Sequence, residues 1–187
     1  MLNSFYDRFI FTNSLEYKHN NFFLLNVPFV IAPSTVLSGI AKIPDPVLQK
    51  KVYYAVKSEI KENLVAQLGK DFVLKRDKML EFLFAFFTAS GWGLFETRDI
   101  NSEQKRALVV VKNSPFSRFF PHNSAQAVDS FLRGIIAGTF CVVFSENIDC
   151  VETSCSAMGA GLCSFVVKPL YDFDFDGQDV RNQLDPE

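Results

Sequence analysis

Residues 148–168 read IDCVETSCSAMGAGLCSFVVK, and this stretch decides the fold. Two short runs, about 148–155 and 162–168, flank the small, glycine-bearing link Ala157-Met158-Gly159-Ala160-Gly161. Such a link is too short for a parallel crossover, so the pair reads as an antiparallel hairpin. A second pair lies upstream. Residues 92–99 and 106–112 are separated by the polar stretch Asn101-Ser102-Glu103-Gln104, and Leu108-Val109-Val110-Val111 is β-branched as a sheet strand should be. Between the hairpins, a loop over 113–123 with two prolines leads into a helix expected over about 125–145, with Asn123 or Ser124 as its cap. Its apolar residues include Val128, Phe131, Leu132, Ile135, Ile136 and Phe140, while Gly134, Ala137 and Gly138 let a neighbouring backbone come close.

Upstream of Gly91-Trp92-Gly93 the chain is mostly helical. Asp45 is placed to cap a helix over about 46–69, with Pro46 at its first position and Leu48, Val52, Val56, Ile60, Leu64 and Leu68 repeating along one stripe. A helix over about 77–90 is apolar nearly all round, and a short one over 34–42 starts at Ser34. Residues 22–31, FFLLNVPFVI, read as a strand or strand pair with Pro28 at an edge or bulge. The order of strands, helices, two strands, helix and two strands argues an α+β domain, an antiparallel sheet covered on one face by helices. Residues 1–20 form an arm or strand, 21–170 the domain, and 171–187 an acidic tail that is partly disordered.

Composition narrows the function. The 187 residues are 48% apolar and 21% charged, which excludes disorder for most of the chain. With 19 basic against 21 acidic residues there is no excess of the kind a nucleic-acid binder carries. No apolar run reaches the ~20 residues of a membrane-spanning helix, and MLNSFYDRFIF lacks the features of a secretory signal. A soluble, cytoplasmic protein is expected, whose four cysteines are thiols or metal ligands. Phenylalanine, at 21 residues, is the outlier: it builds either a Phe-rich core or an aromatic cavity for an apolar ligand.

Glu152, Cys155 and Cys163 are spaced E-x2-C-x7-C. In a hairpin the two thiols approach across the turn, and two thiolates with a carboxylate suit a tetrahedral zinc ion that still needs a fourth ligand. Cysteine is also at home as a small buried hydrophobe, the better reading for Cys141 and Cys150. No nucleophile elbow, phosphate-binding loop or dinucleotide fingerprint is present.

The segment Cys150–Phe165 resembles the C-terminal signature of the 4-vinyl-reductase domain family, a family also described as small-molecule or hydrocarbon binding. Its pattern is a Glu, a Cys three residues later, a small-small-Met-Gly stretch and a Cys-x-Phe strand. Gly91-Trp92-Gly93 and Phe131-Leu132-Arg133-Gly134 agree with it, so the resemblance spans roughly residues 20–168. It implies the fold of the ligand-binding domains of nitric oxide signalling and Golgi transport proteins, with a four-stranded antiparallel sheet, and a common homodimeric state. It also implies similarity to the sensor domains of aromatic-responsive regulators. In the phenol-sensing relatives a zinc lies near the ligand pocket, held by residues matching Glu152, Cys155 and Cys163, with a helix-borne Cys where this chain has Asp129. An aspartate suits zinc, but it is also an ordinary charge for a helix N-terminus.

The resemblance implies a non-enzymatic sensor or binding domain for a small aromatic or hydrocarbon-like ligand, with a structural zinc near the pocket. Candidate walls are Phe82, Phe86, Trp92, Phe119, Phe131 and Ile135. His122 follows in the adjoining loop, where a ligand contact competes with plain solvation. Trp92 suits a cavity wall or a core plug equally. The alternatives are a dimeric scaffold without ligand and an accessory protein in tetrapyrrole vinyl-group reduction. The regulators of the family carry DNA-binding and ATPase domains for which these residues leave no room, so signalling would pass through another protein.

Overall fold

The computed structural model describes residues 15–24, 27–30, 32–64, 76–120 and 124–185. The secondary elements are three N-terminal strands, β1 (Leu15–Lys18), β2 (Asn21–Leu24) and β3 (Val27–Phe29), helices α1 (Ser34–Ala41), α2 (Pro46–Glu59) and α3 (Arg76–Ala89), strands β4 (Leu94–Asn101) and β5 (Arg106–Lys112), helix α4 (Ser130–Phe144), strands β6 (Ile148–Ser154) and β7 (Cys163–Pro169), and helix α5 (Gln178–Gln183). The second sheet is antiparallel with strand order β4-β5-β7-β6, so α4 connects a central strand to an edge strand. This is the expected α+β, four-stranded architecture.

Strand alternation sets the core. Cys163, Phe165, Val167 and Pro169 of β7 are buried and alternate with half-buried neighbours, and Ala107, Val109 and Val111 supply the matching face of β5. Against that face lies α4, in which only Phe131 and Val142 escape full burial. Helix α3 closes one flank through Phe84, whose ring lies 5.2 Å from Phe95 of β4 and 6.2 Å from Phe140 of α4. No helix among the described residues is long and apolar enough to cross a membrane.

Helix α2 crosses α4 at two glycines. A Cβ on Gly134 would sit 2.8 Å from the Tyr53 carbonyl oxygen, and one on Gly138 would sit 2.7 Å from the Lys57 carbonyl oxygen. The same crossing carries a buried polar tie. Asp149 of β6 accepts from the Tyr53 hydroxyl at 2.6 Å and from Lys57 at 2.7 Å, and the Tyr53 hydroxyl accepts from the Cys150 amide at 3.0 Å. The pairing stays intact because each buried polar group has a partner.

Four expectations are corrected. The helix expected over 46–69 begins as foreseen, with the Asp45 carboxylate accepting from the Val47 and Leu48 amides. It leaves α-helical geometry after Glu59 for a π turn over Ile60–Leu64, where Ile60 packs against the site of Gly138; Gly69 lies outside the described residues. The helix expected over 125–145 starts only at Ser130. Ser124 instead donates through its hydroxyl to the Gln126 carbonyl and through its amide to Ala157 of the β6–β7 link, which fixes 124–129 as irregular chain, and Asn123 is outside the described residues. Ser34 is the first residue inside α1, and Pro33 stands at the cap position with no side-chain cap. A boundary at residue 20 would divide the β1–β2 hairpin at its His19-Asn20 turn.

The acidic C-terminal segment docks where it is described. Leu184 is fully buried, Asp185 pairs with Lys50 at 2.6 Å, and the Asp185 amide donates to the Tyr54 hydroxyl at 3.2 Å.

Helix propensity alone would make Gly138→Ala stabilising by about 1 kcal/mol. The α2–α4 contact reverses the sign: overpacking costs about 1–3 kcal/mol in addition to cancelling that gain. Urea unfolding of Gly138→Ala should therefore show a lower midpoint than the parent.

Candidate functional site

Four buried groups converge at one end of the four-stranded sheet. Glu152 comes from β6, next to an irregularity where Glu152 pairs with Phe165 and Ser154 with Ser164, leaving Thr153 as the extra residue. Such a bulge re-aims the side chains around it. Cys155 leaves the strand, and the turn over Ser156–Met158 returns the chain through Gly159, whose φ of 92° favours glycine. Cys163 opens β7. Asp129 occupies the N-cap position of α4 with its side chain aimed away from the helix amides. One ligand atom from each of the four lies within 4.8 Å of the others, and all four residues are buried.

The surroundings hold these groups and leave a specific deficit. The Ser114 hydroxyl donates to Asp129 Oδ1 at 2.9 Å, and the Asp129 amide donates to Glu152 Oε2 at 3.1 Å. The Ser156 amide donates to Cys163 Sγ at 3.4 Å, and the Cys163 thiol faces the Ser117 hydroxyl at 3.7 Å. Asp129 Oδ2 and Glu152 Oε1 are buried with no hydrogen-bond partner, and neither carboxylate is ion-paired among the described residues. Two orphaned carboxylate oxygens side by side are costly unless protons or a cation meet them.

Protonation follows from this setting. Burial lifts Asp129 from the ordinary 3.8 to about 6. Glu152 is held well above the carboxylate range by burial, then by the negative charges of Asp129 and Cys163. The Cys163 thiol is pushed up by its hydrogen bond with Cys155 and by burial. A divalent cation reverses this order, because its charge favours the deprotonated ligands. Two sulfurs and two carboxylate oxygens at this spacing fit tetrahedral zinc, and the unpartnered oxygens are where its bonds would go. Cys150 and Cys141 are outside the cluster. Burial raises both thiols, and Cys141 Sγ accepts from the Ile148 amide at 3.2 Å.

A second feature lies beside the cluster. A cavity of about 410 Å³ opens between β3, α2, the π turn, α3 and α4. Of the expected walls, Phe86, Trp92, Phe131 and Ile135 line it; Phe82 and Phe119 do not, and His122 lies outside the described residues. Phe82 turns into the packing around the core instead. Val56 and Ile60 of the α2 stripe and Val27 and Phe29 of β3 complete the walls, with Glu59 and Ser90 as the polar members of the lining. Sequence reading missed β3 as a wall, although its aromatic and branched character was visible. The cavity and the cluster share a border. Phe116, between Ser114 and Ser117, stacks on Phe131 at 5.3 Å and lies 5.9 Å from Trp92.

Comparison with known proteins agrees with the fold. Residues 109–169 match the model of the vinyl-4-reductase domain, bearing out the 4-vinyl-reductase resemblance over the segment that carries Asp129, Glu152, Cys155 and Cys163. An uncharacterized protein of Methanocaldococcus jannaschii is 25% identical over 114 residues, a match covering 57% of this chain and 64% of that protein's length. The phenol-responsive sensory domain of the transcription activator PoxR, crystallised with phenol, superposes with a TM-score of 0.71 at 13% identity over 94% of each chain. Trafficking protein particle complex subunit 3 from Naegleria fowleri, covalently bound to palmitic acid, gives 0.52 at 14% identity, covering 72% of this chain and 88% of that one. A vinyl-4-reductase family protein from Methanocaldococcus jannaschii gives 0.51 at 19% identity, covering 75% and 83%.

The metal-free protein should be most stable in mild acid. Asp129 and Glu152 bind protons more tightly folded than unfolded, so the stability they contribute is present below about pH 4, near their unfolded values. It declines as pH rises through about 6, the folded value of Asp129, and further for Glu152. Thermal melts of chelator-treated protein from pH 4.5 to 8 should fall with pH, and Asp129→Asn should flatten the slope.

Proposed function

We propose that the chain, whose residues 109–169 match the vinyl-4-reductase domain, is a non-enzymatic sensor or binding domain that takes a small aromatic or hydrocarbon-like ligand in the cavity and holds a structural zinc ion in the adjoining cluster. The observation that carries the reading is the pairing of an apolar cavity of about 410 Å³ with a buried quartet of zinc-type donors. The volume lies within the range of about 300–1,000 Å³ common for small-molecule sites. Apolar side chains from four elements line it, so burial of ligand surface supplies affinity at about 25 cal/mol per Å² before ordering costs. The similar folds that hold phenol or palmitic acid support a ligand of this class. No cysteine among the described residues lines the cavity, which favours a ligand held without a covalent bond.

Asp129, Glu152, Cys155 and Cys163 are the four ligands of the proposed zinc. Four protein ligands leave no open position for water, so the ion's contribution is to cross-link the start of α4, the end of β6 and the start of β7. A homodimer is the accompanying proposal, supported by the exposed apolar side chains Val36, Ile43 and Val47 on and after α1. Sedimentation should then give twice the chain mass; a monomer at micromolar concentration contradicts that part.

The chain has one tryptophan, and it lines the cavity. Titration with a simple phenol or a medium-chain fatty acid should shift Trp92 emission with saturation. Ala55→Phe adds a ring at an exposed position of the cavity lining and should weaken that binding at least 10-fold with little change in melting temperature. Native mass spectrometry should find one zinc per chain, and Glu152→Gln or Cys163→Ser should abolish its retention. Absence of both metal and saturable emission change contradicts the reading.

A further inference from the structure

β6 is an edge strand, yet its outward backbone groups are closed in turn by side chains. At Ile148 the amide donates to Cys141 Sγ at 3.2 Å, and the Cys141 thiol reaches back to the Ile148 carbonyl at 3.4 Å. At Cys150 the amide donates to the Tyr53 hydroxyl at 3.0 Å, and the carbonyl accepts from Arg133 Nε at 3.0 Å. At Glu152 one side chain does both: the amide donates to Gln183 Oε1 at 2.8 Å, and the carbonyl accepts from Gln183 Nε2 at 2.8 Å. The Gln183 amide thus pairs with Glu152 as a residue of a neighbouring strand would.

Gln183 is itself held. Its carbonyl accepts from Arg133 Nη2 at 2.6 Å, and the Arg133 guanidinium lies 4.3 Å over the Tyr53 ring. Arg133 is 3% exposed and Gln183 7% exposed, so these bonds form away from bulk water, where losing a partner costs most. Both faces of Glu152 are therefore fixed. β7 and the bulge set one side, and the C-terminal segment sets the other, 31 residues further along the chain.

We propose that Gln183, braced by Arg133, is a positioning residue for the Glu152 carboxylate, making the C-terminal segment around α5 a working part of the metal site. The inference rests on the zinc reading above and extends it to a residue outside the family match at 109–169. Groups that orient metal ligands typically change affinity 10–100-fold when removed. The mechanism here is backbone placement: releasing the 152 amide and carbonyl lets the strand edge shift and carries the carboxylate out of reach of the thiols.

The test is metal affinity of reloaded, chelator-treated protein, measured by competition with a chromophoric chelator for zinc and by the visible spectrum of the cobalt form. Gln183→Met keeps length and apolar packing while removing both hydrogen bonds, and Gln183→Glu keeps an acceptor but loses the donor. Phe144→Leu, at the far end of α4, serves as a control for general destabilisation. The expected result is a 10–100-fold loss of zinc affinity and an altered cobalt spectrum in both Gln183 variants, faster hydrogen exchange at the Glu152 amide, and parent-like affinity in the control. Parent-like affinity in the Gln183 variants overturns the inference and leaves the zinc reading intact. An equal loss in the control also overturns it, by reducing Gln183 to general stability. A parent protein that binds no zinc overturns both.

Discussion

Two carboxyl groups and two thiols buried against one another, with two oxygens left unsatisfied, are the constraint on which this structure turns. A folded protein does not normally leave charged-type oxygens dry and unpaired. Either protons are taken up, with the raised affinities seen at Asp129 and Glu152, or a cation sits between the donors. The elements that meet there differ in kind: a helix start, a bulged strand end, a tight turn and a strand start. A common ligand gives them a reason to meet that apolar packing alone does not supply.

The same helix serves the cavity. Asp129 stands at the start of α4, and Phe131 and Ile135 on its first turns are cavity walls. Close approach of α2 at Gly134 and Gly138 brings Val56 and Ile60 to the opposite wall. Phe116 stacks on Phe131 and is joined through its amide to the Ser114 hydroxyl, which also holds Asp129. Cavity and cluster are thus contiguous parts of one packed region.

Much of this was legible in the amino-acid order. The hairpins 92–112 and 148–168 stood out because short polar or glycine-rich links force antiparallel pairing, and the spacing of Glu152, Cys155 and Cys163 carried the cluster. Asp129 was reachable only through the family pattern, since its neighbours in sequence say nothing of a partner 23 residues away. Ser114 and Gln183 were not legible: a serine after a strand and a glutamine in an acidic segment are ordinary until the chain folds. The change to π geometry at Ile60 was hidden for a similar reason, because the apolar stripe continues through it and the glycine it meets lies in another helix. Phe82 and Phe119 were named as walls on aromatic character alone, which does not tell a cavity face from a packed one.

X-ray absorption at the zinc edge of the reloaded protein tests the account most directly. A first shell of two sulfurs near ~2.3 Å and two oxygens near ~2.0 Å is the predicted result. A shell of oxygen and nitrogen alone, with no sulfur scattering, would contradict it.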